Sequence, residues 1–269
     1  MEGGQPGAGG KPEDDIAMTS SGKVWQDARQ AESYLAHSRG AIPLAEEQLR
    51  LAVKIAEAMT TKVERILDLG CGDGVMGLTM KERWPGATLI LADFSDTMLD
   101  AARKRCTTAG VDADIMMLDY SEPSWPGRVA GRGPFDLVVS GFSIHHQTGG
   151  RKEEVYGEVF GLLAPGGAFL NLDNVSSPTE KLARFFERDF VDALVSGRVR
   201  RGLVAEREAV FSEWWTRRQE DLSYCSPLED QLGWLRKIGY LNVDCYFKYL
   251  EFALFGGSKP TAEPGRDDK

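Results

Sequence analysis

Basic residues are outnumbered in this sequence, and the residue types that build metal sites and disulfides are rare. There are 32 Lys and Arg against 41 Asp and Glu, which gives a net charge of −9. Nucleic-acid binding depends on Lys and Arg meeting phosphates, so this balance argues against a protein that coats nucleic acid. The four cysteines, at positions 71, 106, 225 and 245, form no CxxC pair. They favour reduced intracellular thiols over a disulfide framework or a zinc site.

Long hydrophobic runs are also missing. No apolar stretch reaches the length of a membrane span, and the N-terminus lacks the hydrophobic segment of a signal peptide. We therefore expect a cytoplasmic protein with no membrane partner. The 269 residues, 42% hydrophobic and 27% charged, suit one large globular domain with embellishments.

One stretch, residues 66–78, reads ILDLGCGDGVMGL and organises the chain around it. Its start is a short apolar run of the kind found in buried parallel strands, and its end opens an amphipathic segment that stops at Pro85. Between them, three glycines allow a sharp turn and a close approach of backbone to ligand. The pattern predicts a strand, a glycine loop and a helix whose N-terminal amides favour an anion.

Two large cofactor classes use such a loop. The dinucleotide fingerprint needs glycine at the sixth place counted from Gly70, where this sequence has Val75. The segment Leu67–Gly74, LDLGCGDG, instead resembles the first motif of the class I S-adenosylmethionine (SAM)-dependent methyltransferases. The resemblance implies an α/β, Rossmann-like sheet of seven strands with helices on both faces and the last strand antiparallel. It also implies SAM as cofactor and a small-molecule methyl acceptor.

Acidic residues follow the next two predicted strands. Asp93 ends the strand Thr88–Ala92, about twenty residues past the loop, where a carboxylate can accept hydrogen bonds from both ribose hydroxyls. The alternative role of helix cap falls better to Ser95. Asp119 follows Asp114–Leu118, and the resemblance implies that this position receives the adenine amino group. The predicted cofactor-binding residues are Asp68, Gly70, Cys71, Gly72, Asp93, Phe94, Met98, Asp119, Tyr120 and Ser140.

Two of the three histidines, His145 and His146, stand together just after the predicted fourth strand, Phe135–Val139. The resembling family places residues facing the methyl group there, and histidine suits proton transfer near neutral pH. Two roles are equally plausible for one of the pair: a catalytic base, or a group that orients the substrate by hydrogen bonding. A purely structural role at the strand end is the third alternative. With no Cys or acid nearby in sequence, no metal site is expected.

The composition divides the chain into segments. Residues 1–22 are expected to be a disordered tail, 23–60 an N-terminal helical cap with Tyr34 and Arg39 as lid candidates, and 258–269 a polar tail. A packed Tyr and a surface Arg are the alternatives for those two. Residues 61–257 form the predicted methyltransferase domain, with a helical lid insertion at about 174–227.

The insertion is rich in aromatic residues, notably Phe185, Phe211, Trp214 and Trp215. An exposed aromatic patch of this size would be unusual, so we expect these residues to be covered. They could pack within the insertion, mediate a dimer or line an acceptor pocket. We favour the pocket wall, because insertions after the fifth strand sit above the site where the methyl group emerges. Around the insertion we expect a turn at Ala164–Gly167, a fifth strand Ala168–Leu172, and a closing pair Val243–Lys248 and Tyr249–Phe255. Residues 121–134 are expected to be a loop.

The function implied by the resemblance is methyl transfer that converts SAM to S-adenosylhomocysteine. One alternative is a SAM-handling enzyme of the carboxy-SAM synthase type, which the insertion weakly resembles. That branch needs cationic residues for an extra carboxylate, and Arg217 and Arg218 do not align with them securely. The other alternative is a non-catalytic SAM-binding module.

Overall fold

The computed structural model describes residues 42–200, 202–222 and 224–261, with backbone only for residues 216–222. The predicted tail 1–22, the first part of the cap with Tyr34 and Arg39, and the end of the C-terminal tail lie outside these residues. So do the side chains of Arg217 and Arg218. No helix of the described chain is long and apolar enough to cross a membrane.

Seven strands form one sheet in the order β3-β2-β1-β4-β5-β7-β6. Strand β7 runs antiparallel to both of its neighbours, as the resemblance implied. The strands are β1 Arg65–Leu69, β2 Thr88–Asp93, β3 Asp114–Met117, β4 Phe135–Gly141, β5 Leu163–Asn174, β6 Leu241–Tyr249 and β7 Phe252–Ser258.

Helices cover both faces of the sheet. Buried residues of α1, α2 and α3 pack on one face, and those of α4, α5 and α8 pack on the other. The helices are α1 Ala45–Met59, α2 Val75–Arg83, α3 Asp96–Ala109, α4 Trp125–Val129, α5 Gly149–Leu162, α6 Glu180–Arg200, α7 Arg207–Leu222 and α8 Leu228–Ile238.

The central strands are buried on both sides, which explains their nearly continuous apolar sequence. Strand β1 pairs in parallel with β2 and β4, so the carboxyl ends of these strands meet at one edge of the sheet. The strand order reverses between β1 and β4, and such a switch point opens a crevice where ligands of α/β proteins bind.

Several strands differ in extent from the sequence prediction, and β4 continues past Val139 to Gly141. Strand β3 ends at Met117, one residue early, and β5 spans Leu163–Asn174 instead of Ala168–Leu172. The expected turn at Ala164–Gly167 lies inside β5 as an irregularity, because the pairing jumps from Phe135↔Leu163 to Leu137↔Ala168. Strand pairing on both sides of the turn residues makes them a bulge within one strand.

The closing pair and the loop at 121–134 also need correction. The pair meets at Leu250-Glu251, so β6 ends at Tyr249 and β7 continues to Ser258. The polar tail therefore begins after Ser258. The loop contains helix α4, whose Trp125 is fully buried and donates from Nε1 to a Glu158 carboxylate oxygen at 2.5 Å.

The insertion consists of α6 and α7, which share a separate apolar cluster. Trp214 is buried there, with its ring 6.0 Å from those of both Phe190 and Trp215. Trp214 thus packs inside the insertion, one of the alternatives open from the sequence. Phe185, in contrast, is 47% exposed.

The two ends of the insertion are tied together beneath its helices. The Ser176 backbone N–H donates to the Ser226 carbonyl at 3.1 Å. Lys152 of α5, only 1% exposed, donates from Nζ to the Tyr224 carbonyl and to Ser226 Oγ. These bonds fix where the insertion leaves and rejoins the sheet.

A glycine on α2 permits the close packing of helix against strand. A Cβ added at Gly77 would lie 2.7 Å from Leu91 Cδ2 and 2.9 Å from Asp68 Oδ2. We expect Gly77→Ala to lower the free energy of unfolding by about 1–3 kcal/mol, because overpacking forces neighbours to shift. Urea unfolding measures this change.

Gly157→Ala on α5 is the matched control, since an added Cβ there meets nothing within 4 Å. It should be neutral or stabilising by up to about 1 kcal/mol, the propensity gain of Ala over Gly in a helix. Equal destabilisation by both substitutions would contradict the close-packing interpretation.

Candidate functional site

The loop between β1 and α2 places three glycines in left-handed conformations. Their φ angles are 68° at Gly70, 54° at Gly72 and 78° at Gly74, values that residues with a Cβ adopt at a cost. The backbone amides of Gly70 and Cys71 donate to the Ala92 carbonyl at 2.8 and 3.0 Å. The loop is thereby held over the carboxyl end of β2.

The segment that follows β4 can approach this loop only because Gly70 has no side chain. A Cβ there would lie 1.9 Å from Ser143 Oγ. Ser143 in turn bonds to the Tyr120 hydroxyl at 2.7 Å. Burial raises the pKa of Tyr120 well above its ordinary value, so the hydroxyl stays protonated and available to this bond. The bonds join β1, β3 and β4 at one place.

Asp68 and Cys71 shape the loop from within. Asp68 is buried in β1, and its Oδ2 accepts from the Gly77 amide at 2.7 Å, which fixes the first turns of α2. Cys71 is buried, and its burial raises the pKa of the thiol well above the ordinary value. A thiol that stays protonated has little nucleophilic character, so Cys71 contributes packing and backbone rather than reactivity.

Asp93 stands at the carboxyl end of β2 with its carboxylate directed to the loop. Its Oδ2 accepts from the Gly72 amide and its Oδ1 from the Ser95 amide, both at 2.9 Å. Burial raises the pKa of Asp93, and the backbone amides of Ser95, Gly72 and Phe94 partly oppose the rise. A carboxylate offers about four lone-pair sites, so two further donors can still bind.

The remaining predicted cofactor residues lie around this edge with different surroundings. Asp119 is exposed, and its Oδ1 accepts from the Ser121 amide at 2.8 Å. Ser140 is fully buried and donates from Oγ to the Leu69 carbonyl at 2.7 Å, so its hydroxyl serves the β1–β4 pairing. Phe94 is partly exposed, and Met98 is buried in the first turn of α3.

An arginine that the sequence did not single out holds the backbone of Tyr120. Arg151 of α5 donates to the Tyr120 carbonyl from Nε at 3.2 Å and from Nη2 at 2.7 Å. Its guanidinium also pairs with both carboxylate oxygens of Glu158, at 2.9 and 2.7 Å. Glu158 accepts from Trp125 as well. The Arg151–Glu158 ion pair therefore fixes the segment that follows β3.

On the other side of the site, His145 is paired with a buried carboxylate. Its backbone amide donates to Asp173 Oδ2 at 2.8 Å, and its Nδ1 lies 2.5 Å from Oδ1. Both side chains are buried, at 4% and 2% exposure. Asn174 Nδ2 lies 3.4 Å from His145 Nε2. An acceptor carboxylate on Nδ1 holds the proton there and leaves Nε2 as the basic nitrogen.

The Asp173 carboxylate has further support. Burial alone would raise the pKa of Asp173, but the charge and hydrogen bond of His145 and the Asn174 amide outweigh it and hold the pKa below the ordinary value. Asn171 Nδ2 lies 3.4 Å from Asp173 Oδ2 and from the Tyr156 hydroxyl, and Tyr156 donates to Gln231. The pair therefore rests on a buried polar network.

His146 differs from its neighbour in environment. Its ring is tilted by 40° to that of His145, with centroids 3.9 Å apart, and the residue is partly exposed. The sequence placed both histidines together at the mouth of the sheet but did not reveal Asp173 or Asn174. The signal that could have found them was the end of β5, which carries two adjacent polar residues after an apolar run.

Within the described residues, no group of three or more His, Cys, Asp and Glu side chains could hold a metal ion. The family model described as a methyltransferase domain matches residues 66–167. These residues run from β1 to the start of β5 and include the glycine loop, Asp93, Asp119 and both adjacent histidines.

Relatives give the same picture over longer stretches. A demethylmenaquinone methyltransferase of Thermus thermophilus is 32% identical over 154 residues, 55% of this chain and 66% of that protein. A carboxy-S-adenosyl-L-methionine synthase of Nautilia profundicola is 20% identical over 215 residues, 80% of this chain and 85% of that one. The chain thus spans just under two thirds of the length of the first of these relatives.

Solved structures share the fold. An O-methyltransferase family protein from Burkholderia thailandensis superposes with a TM-score of 0.58 at 18% identity, covering 90% of this chain and 63% of that one. At this level of identity the similarity concerns the fold.

The low pKa of Asp173 predicts how stability depends on pH. The folded pKa lies below the unfolded one, so the ionised carboxylate stabilises the fold above the unfolded value, and this contribution is lost as the pH falls through the folded value. We expect the difference in unfolding free energy between wild type and Asp173→Asn to shrink as the pH falls from about 5 to about 3.

Urea unfolding at several pH values measures that difference. Asp96→Asn is the control for removal of an exposed carboxylate. A difference for Asp173→Asn that grows towards low pH would contradict the assignment of an ionised, stabilising carboxylate.

Proposed function

Because the chain belongs to the class I S-adenosylmethionine-dependent methyltransferases, we propose that it transfers a methyl group from SAM to a small-molecule acceptor. The observation that carries the proposal is the joint position of two features at one sheet edge. Asp93 and the glycine loop stand at the carboxyl ends of β1 and β2, and the His145–Asp173 pair stands at those of β4 and β5.

The residues fit the adenosyl part of SAM. The Asp93 carboxylate is 6% exposed and keeps acceptor capacity for the ribose hydroxyls beyond its bonds to the Gly72 and Ser95 amides. An added Cβ at Gly72 would meet nothing within 4 Å, so there is open space directly above the loop. Asp119, exposed at the end of β3, suits the adenine amino group. We assign the loop residues Gly70, Cys71 and Gly72 to the remainder of the cofactor.

When bound, SAM supplies an electrophilic methyl group on a sulfonium sulfur. The chain must then align the acceptor atom with that methyl group, and well-oriented reactants can lower the barrier by roughly 7–11 kcal/mol. A hydroxyl or cationic amine acceptor must also lose a proton.

We assign the proton acceptor to His145. Asp173 holds the proton on Nδ1 and orients the ring, which leaves Nε2 to take the acceptor's proton. Asn174 Nδ2 lies in a hydrogen-bond position on Nε2. An acceptor hydroxyl must take this position to reach the base. We give His146, whose ring centroid lies 3.9 Å from that of His145, a packing role beside it.

Carboxy-SAM synthesis is the second candidate, favoured by the extended match to the Nautilia profundicola protein. That reaction must accommodate an additional carboxylate. Within the described residues, the charged groups tied to the β5 end of the sheet are the carboxylates Asp173 and Glu251, and the buried cation Lys152 donates to Tyr224 and Ser226. Methyl transfer is therefore the better-supported function.

Asp93→Ala tests the cofactor site. Removing the carboxylate leaves two ribose hydroxyls without acceptors, and each hydrogen bond to a charged group contributes about 1.5–3 kcal/mol. We expect the Kd for SAM to rise by at least about 100-fold, measured by calorimetry. Asp96→Ala, three residues on and exposed, is the control and should keep wild-type affinity. Wild-type affinity in Asp93→Ala would remove this residue from the site.

His145→Gln tests the proposed base while keeping a group that can donate to Asp173. With an acceptor that is turned over, we expect kcat to fall by about 10²–10⁴-fold and SAM affinity to stay unchanged. His146→Gln is the neighbouring comparison and should lose far less. If His146→Gln shows the larger loss, the two histidines have exchanged roles.

A further inference from the structure

An aromatic cluster adjoins the basic nitrogen of the proposed base. Phe252 of β7 pairs in register with Asn174 of β5, the residue whose amide reaches His145 Nε2. The Phe252 ring lies 5.6 Å from Phe142, 5.3 Å from Phe186 and 5.7 Å from Phe190. We name these four residues the phenylalanine wall. It links the end of β4, the closing hairpin and helix α6 of the insertion.

Phe142 holds an unusual backbone conformation at the centre of the site. Its φ is 52°, a left-handed value that bulky residues rarely adopt. Its amide donates to the Leu172 carbonyl at 2.7 Å, and the next residue, Ser143, meets Gly70 of the cofactor loop. Backbone strain of this kind concentrates at functional sites, where the position of a side chain matters.

Two residues of the wall are partly exposed. Phe252 and Phe186 are buried, at 5% and 2% exposure, whereas Phe142 and Phe190 are partly exposed. The inner pair therefore supports the ring surface that the outer pair presents. Aromatic faces and edges of this kind bind flat apolar rings, with offset or edge-on contacts at 4.5–7 Å between centroids, about the spacing of the wall itself.

Carboxylates precede two residues of the wall in sequence. Glu251, which precedes Phe252, is 3% exposed and accepts from Ser177 Oγ. Asp189, which precedes Phe190, accepts from the Tyr249 hydroxyl at 2.8 Å. Asp173, buried against His145, disfavours an anionic acceptor next to the base, and like charges across an interface discriminate strongly between ligands.

From these contacts we infer that the acceptor is an uncharged, flat apolar molecule bearing an ionisable hydroxyl, of the phenol or enol class, and that Phe142 determines this specificity. The inference rests on the proposed methyl transfer. The hydroxyl oxygen bonds to the methyl carbon as the carbon–sulfur bond breaks and its electron pair returns to sulfur. The hydroxyl proton passes to His145 Nε2, and the products are the methyl ether and S-adenosylhomocysteine.

The test compares two acceptors that differ in one group, 2-naphthol and 2-naphthoate. Calorimetry first establishes SAM binding, and acceptor binding is then measured in the presence of S-adenosylhomocysteine, alongside turnover with SAM. We expect binding and methylation of 2-naphthol, with at least tenfold higher kcat/KM than for 2-naphthoate. Absence of SAM binding would refute the proposed function itself. SAM binding with preference for the carboxylate, or with neither ring bound, would overturn the inference about the acceptor.

Phe142→Gly is the decisive variant, because glycine accepts a φ of 52° without strain and only the ring is lost. We expect the KM and Kd for 2-naphthol to rise about tenfold, with the Kd for SAM within twofold of wild type. Phe185→Ala, on the exposed side of α6, is the control and should leave both unchanged. An unchanged KM in Phe142→Gly would remove Phe142 from the acceptor site.

Discussion

The meeting of Gly70 and Ser143 is the constraint on which the two halves of the site depend. No side chain heavier than hydrogen fits at Gly70 while Ser143 keeps its place, and Ser143 is held there by Tyr120 at the end of β3. Ser143 lies between Phe142, with its left-handed backbone, and His145, which Asp173 binds through both ring and amide. The spacing between the glycine loop and His145, the proposed base, is thus fixed by direct contact.

The sheet that supports this contact tolerates two unfavourable features at its edge. Asp93 is a buried carboxylate whose pKa burial raises, and Phe142 has a strained backbone. Both are held by neighbours that are themselves fixed: the Gly72 and Ser95 amides for Asp93, and the Leu172 carbonyl for Phe142. Strained and desolvated groups persist where the surrounding fold over-determines them, and such groups mark functional sites.

The sequence was informative where chemistry is local along the chain. The glycine loop, the acid after β2 and the adjacent histidines each follow a recognisable strand, and the seven-stranded fold with its antiparallel strand was confirmed. The roles of Asp173 and Arg151 were not predicted, because they depend on partners 28 and 31 residues away in the sequence. The prediction of a separate turn at Ala164–Gly167 was wrong, because strand pairing on both sides makes these residues a bulge within β5. Trp214 packs between the insertion helices, and aromatic content alone does not reveal which helix will cover a side chain.

Ser176 and Ser226 lie at opposite ends of the helical insertion yet share a backbone hydrogen bond of 3.1 Å. A linker of a few residues could therefore span the gap if α6 and α7 were removed, and the register of β5 and β7 would not have to change. The helical pair could in this sense be replaced as a unit. Replacement of the pair alters Phe186 and Phe190 but leaves Asp93, the glycine loop and His145 in place. Acceptor range can diverge in evolution independently of the cofactor site.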